Sequence, residues 1–137
     1  MPIVRKLSVS YTVSMLQANC GLFNISEDHI EDYQSLDQRF IKNKSSTFFF
    51  QATGDSMEPL VFAGDILVVD RSINSFYGKI AIIYLEGQFL CKRIIKSHRG
   101  PILRSENKLH RDILITEEMD FLMWGVVTSL ARDIRSS

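Results

Sequence analysis

From Thr47 onward the chain is cut into short apolar runs, each closed by glycine, proline or polar residues. Phe48-Phe49-Phe50-Gln51-Ala52, Asp65-Ile66-Leu67-Val68-Val69-Asp70 and Lys79-Ile80-Ala81-Ile82-Ile83-Tyr84-Leu85 are the first three. Gln88-Phe89-Leu90-Cys91-Lys92-Arg93-Ile94-Ile95, Ile102-Leu103-Arg104, Ile113-Leu114-Ile115 and Trp124-Gly125-Val126-Val127-Thr128-Ser129-Leu130 follow. Runs this short and this rich in β-branched and aromatic residues read as strands. Glu86-Gly87 is a two-residue turn signal between two of them and predicts a hairpin. Arg99-Gly100-Pro101 is a further break. The pattern predicts one mostly β domain, antiparallel or mixed. A length of 137 residues suits a single such domain and leaves little room for a second.

Residues 1–46 differ. Residues 1–20 alternate weakly and carry little core-forming material. Ser26 is an N-cap candidate followed by Glu27 and Asp28, and Ile30, Tyr33, Leu36 and Phe40 recur at helical spacing. One short helix is expected there, and Lys42–Ser46 reads as a polar loop. Arg5 and Lys6 precede a segment in which polar residues interrupt every apolar pair, so a signal peptide is not expected. Leu16-Gln17-Ala18-Asn19 lacks the small residues that precede a lipidated cysteine. No run approaches the ~18 apolar residues of a membrane span. Two cysteines, Cys20 and Cys91, imply no disulfide framework, and His29, His98 and His110 lack metal-ligand spacing. The expectation is a cytoplasmic protein with no metal or cofactor. Sixteen basic side chains balance sixteen acidic ones, which argues against a strong direct hold on nucleic acid or on a membrane surface.

Three local features could carry chemistry. Gly54-Asp55-Ser56-Met57-Glu58-Pro59 lies between a strand and a turn, where a serine can sit beside free backbone N–H groups. The plain alternative is that it is only a turn. Lys92 shares a strand face with Leu90 and Ile94, where desolvation would favour the neutral amine and let it act as a base. The opposite face, Phe89, Cys91, Arg93 and Ile95, is no less apolar, so periodicity leaves the buried face open. A lone strand lysine is most often solvated. Arg93 is a poor rival because a guanidinium stays protonated. Cys20-Gly21, alone, signals only a turn or a close backbone approach.

In order, Gly54-Asp55-Ser56-Met57-Glu58-Pro59, Gly64-Asp65-Ile66-Leu67-Val68-Val69-Asp70, Gly78-Lys79-Ile80-Ala81-Ile82, Phe89-Leu90-Cys91-Lys92-Arg93-Ile94 and Gly125-Val126-Val127 resemble the LexA/UmuD (S24) family of Ser-Lys autopeptidases. The resemblance covers about residues 47–130 and is nearest to the UmuD-like members. It implies a LexA C-terminal-like peptidase domain over 47–137, a linker and short helix over 21–46, and a cleavable arm over 1–20. By resemblance, Ser56 is the nucleophile, Lys92 the general base, and Cys20-Gly21 the bond that is cut. Residues 1–20 are too few for the helix-turn-helix domain that precedes the cleavage site in family repressors. The family also implies a homodimer, cleavage promoted by a RecA filament on single-stranded DNA in the SOS response to DNA damage, and assembly with a UmuC-like Y-family polymerase for translesion synthesis.

Three alternatives are weighed. One is a polymerase-binding module with a vestigial dyad. Another is a LexA- or phage-repressor-like autopeptidase lacking its DNA-binding domain, to which Met57-Glu58-Pro59 is closer. The third, a signal-peptidase relative, is disfavoured by the spacing in Ser56-Met57-Glu58-Pro59 and by the expected lack of an anchor. Loss of residues 1–20 would remove Arg5 and Lys6 and no acids, leaving a slightly acidic body.

Overall fold

A computed structural model of the chain describes residues 5–7 and 36–136. The Cys20-Gly21 bond and the start of the expected helix, Ser26 to Tyr33, lie outside the described residues. The strands are β1 (Arg5–Leu7), β2 (Thr47–Gln51), β3 (Ile66–Asp70), β4 (Ile80–Leu85), β5 (Gln88–Ile95), β6 (Ile102–Arg104), β7 (Ile113–Leu114) and β8 (Phe121–Ala131). One short helix, α1 (Leu36–Phe40), precedes them in part, and a 3-10 turn (Lys44–Ser46) leads into β2. The mostly β expectation holds, with every described strand pair antiparallel.

The strands form one sheet in the order β1-β2-β3-β8-β4-β5-β6-β7. β8 therefore lies between β3 and β4. It begins at Phe121, three residues before the expected Trp124, because Phe121, Leu122 and Met123 continue the ladder opposite Leu85, Tyr84 and Ile83. The β4–β5 hairpin closes at Glu86-Gly87, where φ is +48° and +84°. Positive φ at both positions matches the twist of a tight hairpin, and glycine adopts it without steric cost.

Apolar side chains gather on both faces of the sheet. Phe50, Leu67, Val69, Ile82, Cys91 and Trp124 form one cluster with Met57 and Val61. Ala81, Ile83, Leu85, Leu90, Ile94 and Leu103 form the other. β8 bulges twice. Thr128 is the extra residue against β3, and Trp124 is the extra residue against β4. A bulge re-aims a side chain. Here the Trp124 ring stands edge-on to Phe50 at 5.0 Å and to Phe48 at 5.1 Å. Gly125, beside it, faces β3 so closely that a Cβ would meet Val69 Cγ1 at 2.7 Å.

Candidate functional site

The segment 52–65 between β2 and β3 is closed at its base by Ala52 N–H donating to Asp65 O and Gly64 N–H donating to Ala52 O, both at 2.8 Å. Within it, Met57 and Val61 are buried in the aromatic cluster. The Met57 carbonyl accepts from Leu60 and Val61 N–H, each at 2.9 Å, which makes a tight turn just after Ser56. Hydrophobic anchoring on one side of Ser56 and a glycine with φ of +76° at Gly54 on the other fix where the serine sits. Among the described residues, the backbone N–H groups of Ser56 and Met57 donate to no acceptor.

On β5 Leu90, Lys92 and Ile94 are buried, while on the opposite face Cys91 is buried and Phe89, Arg93 and Ile95 are half-buried; both faces carry apolar side chains, which is why alternation could not choose between them. Lys92 lies on the Leu90 and Ile94 face and is 1% exposed. Its Nζ stands 2.8 Å from Ser56 Oγ, and Ser56 is 0% exposed. Burial pushes the Lys92 ammonium down from its usual 10.5 to about 8, with only a small opposing effect from the neighbouring Cys91. Burial likewise pushes the Cys91 thiol up to about 12, so Cys91 is an inert core residue. Arg93 points to the other face, where its Nε is 2.6 Å from Glu106 Oε1 and its Nη1 donates to Gly78 O at 2.7 Å.

Two further residues, not singled out by sequence, complete the surroundings. Ser105 Oγ is the second acceptor for Lys92 Nζ, also at 2.8 Å, and Ser105 is buried. Asn107 N–H donates to the Ser56 carbonyl at 2.9 Å, and Asn107 Nδ2 donates to the Asp55 carbonyl at 3.2 Å. His110, one of three histidines without motif context, has its Nε2 2.9 Å from Asp55 Oδ1. It serves the loop that carries Ser56 and does not reach the Ser56 hydroxyl. Among the described residues no cluster of His, Cys, Asp or Glu could hold a metal ion. No described helix is long and apolar enough to cross a membrane.

An antiparallel β domain holding a buried serine against a buried lysine defines a narrow class of protein. A model of the Peptidase S24-like family matches residues 12–128, and the chain belongs to that family. It is 33% identical to protein MucA of Salmonella typhimurium over 69% of this chain and 65% of MucA. It is 34% identical to protein ImpA of Salmonella typhimurium over 92% of this chain and 88% of ImpA. The LexA repressor of Clostridium kluyveri is 29% identical over 71% of this chain, a match that spans 48% of that repressor.

Proposed function

We propose that this chain is a self-cleaving serine peptidase in which Ser56 is the nucleophile, Lys92 the general base and Cys20-Gly21 the scissile bond. The observation that carries it is the 2.8 Å approach of Lys92 Nζ to Ser56 Oγ between two buried side chains. A serine hydroxyl is a weak nucleophile and needs a partner that can accept its proton. A lysine titrating near 8 holds a usable neutral fraction at neutral pH.

The chemistry follows from these atoms. Neutral Lys92 takes the Ser56 proton as Oγ bonds to the Cys20 carbonyl carbon. The oxyanion is held by the unengaged N–H groups of Ser56 and Met57. The Cys20–Gly21 C–N bond breaks, and the Gly21 amine leaves with the proton from Lys92. Water, deprotonated in turn by Lys92, attacks the acyl carbon, which releases Ser56 and leaves a carboxylate at Cys20. Arm and body share one chain, so each molecule is its own substrate once.

The wider setting is part of the same proposal. Residues 21–137 form a homodimer that joins a UmuC-like Y-family polymerase in translesion synthesis. Cleavage is promoted by a RecA filament on single-stranded DNA in the SOS response. A polymerase-binding module that had lost the need for catalysis would be free of selection on a buried cation, and the close, desolvated Lys92–Ser56 geometry favours a working dyad.

Incubating the purified chain at rising pH and sequencing the new N-terminus tests this. Gly21 should appear, and Ser56→Ala or Lys92→Ala should abolish it. Persistent cleavage in Ser56→Ala sinks the mechanism. The trimmed chain should also co-purify with a Y-family polymerase; if it binds none, the polymerase assignment is wrong.

A further inference from the structure

Lys92 Nζ meets two hydroxyls, and only one of them belongs to the proposed dyad. The second, on Ser105, is placed by the sheet. The β5–β6 ladder pairs Ile95 with Ile102, Ile94 with Leu103 and Arg93 with Arg104. One more step puts Ser105 directly opposite Lys92. Directly opposed residues on an antiparallel pair share a face, with Cβ atoms ~4.5–5.5 Å apart. Ser105 Oγ accordingly lies 2.8 Å from Lys92 Nζ, and the residue is 6% exposed.

A neutral amine has one lone pair and two N–H bonds. For the lone pair to face the Ser56 hydroxyl hydrogen, the N–H bonds must be directed elsewhere. A buried N–H without an acceptor costs about 1–3 kcal/mol. Ser105 Oγ, one residue past the end of β6, is such an acceptor, a second hydroxyl 2.8 Å from Nζ. We propose that Ser105 is a positioning residue for the reaction: it accepts an N–H from Lys92 and so aims the amine lone pair at Ser56. This rests on the reading of Ser56 and Lys92 as nucleophile and base.

The residue type fits the task. A carboxylate at this position would hold Lys92 as the ammonium, which cannot take a proton. The nearest carboxylate along the turn, Glu106, is engaged by Arg93 at 2.6 Å. The adjoining thiol, Cys91, stays protonated because burial pushes it up to about 12. No described ion pair includes Lys92. A neutral hydroxyl orients the amine without fixing its charge. The same turn also grips the nucleophile's loop, through Asn107 on the Ser56 carbonyl and His110 on Asp55. One turn thus sets the lysine and the serine in a common frame.

The test uses the full chain and two readouts: self-cleavage, and labelling of Ser56 by diisopropyl fluorophosphate, each from pH 6 to 10. Ser105→Ala should lower the alkaline plateau by about 10- to 100-fold in both, the scale expected when a reacting group is misaimed. It should also move the midpoint to lower pH, because the ammonium loses a hydrogen bond it needs more than the amine does. Ser105→Thr should restore plateau and midpoint, and Ser105→Asp should move the midpoint up. A wild-type plateau and midpoint in Ser105→Ala would overturn the assignment while leaving the dyad intact. If Ser105→Ala does not fold, a Ser105→Asp profile with an unmoved midpoint overturns it equally. Wild-type chain that neither cleaves nor labels would overturn the dyad and, with it, the role of Ser105.

Discussion

Lys92 Nζ stands 2.8 Å from Ser56 Oγ although 36 positions separate the two residues along the chain. Ser56 is delivered by the β2–β3 connection and Lys92 by β5, so the pair exists only where the sheet has brought two distant segments together. The lysine is buried with hydroxyls for company and no carboxylate, and that combination lowers its proton affinity.

Self-cleavage should therefore climb with pH and level off. With Lys92 titrating at about 8, roughly a tenth of it is neutral at pH 7, and the rate should rise about tenfold from pH 7 to its plateau above pH 9. Single-turnover rates followed by gel or mass spectrometry measure this. A rate that is flat from pH 6 to 9 would exclude Lys92 as the base.

The same burial costs stability. Folded Lys92 releases its proton near 8 and unfolded Lys92 near 10.5, so between those values the unfolded chain holds more protons and stability rises with pH. Lys92→Met lacks this dependence. It should be more stable than the wild type by up to about 3 kcal/mol below pH 8, with the gain shrinking as pH rises toward 10.5. Urea melts of both proteins at pH 7 and pH 10 give the comparison.

Arg132 closes on Asp65 with two parallel contacts, Nε to Oδ1 and Nη2 to Oδ2, both 2.7 Å. Burial pushes the Asp65 carboxyl up, but the Arg132 hydrogen bonds, the Phe62 N–H and the Arg132 charge together hold it below its usual value. Arg132→Ala strands a carboxylate that is 1% exposed and should destabilise by about 1–3 kcal/mol at pH 7, discounted because the arginine is partly solvated. A lowered carboxyl contributes stability above its unfolded value of 3.8 and loses it as pH falls. The difference between wild type and variant should therefore narrow below pH 4, as read by thermal melts across the acid range.

Gly125→Ala should destabilise by about 1–3 kcal/mol through overpacking, since the new methyl would lie 2.7 Å from Val69 Cγ1 and 3.3 Å from Arg71 Cγ. Pairing with Val69→Ala should recover part of the loss. Chemical denaturation of the two single variants and the double variant measures that coupling.

Much of the sheet was legible locally. The runs ending at Asp70, Leu85, Ile95 and Arg104 end as strands at those same residues, and Glu86-Gly87 is the turn between two of them. Strand order was not legible, because nothing local in Trp124–Leu130 says that this run enters between β3 and β4. The buried face of β5 could not be chosen, because both faces meet apolar clusters. Ser56 and Lys92 stood out only through an ordered set of motifs, since a turn serine and a strand lysine are each ordinary. Ser105 was missed because Ser105-Glu106-Asn107 reads as a polar turn. Counting the ladder back from the Arg99-Gly100-Pro101 break would have set it across from Lys92.

The place of β8 gives the molecule a sense of time. β2 and β3, which carry the Ser56 loop, share no ladder with β4 and β5, which carry Lys92; among the described strands only β8 joins the two halves of the sheet, and outside the ladders Asn107 and His110 tie the turn after β6 to the Ser56 loop. During synthesis both halves are made before residues 121–131. A nascent chain that has reached only Asp120 contains Ser56 and Lys92 and lacks the strand that joins the two halves of the sheet. A chain ending at Asp120 is therefore expected to keep both residues and yet not to cleave itself.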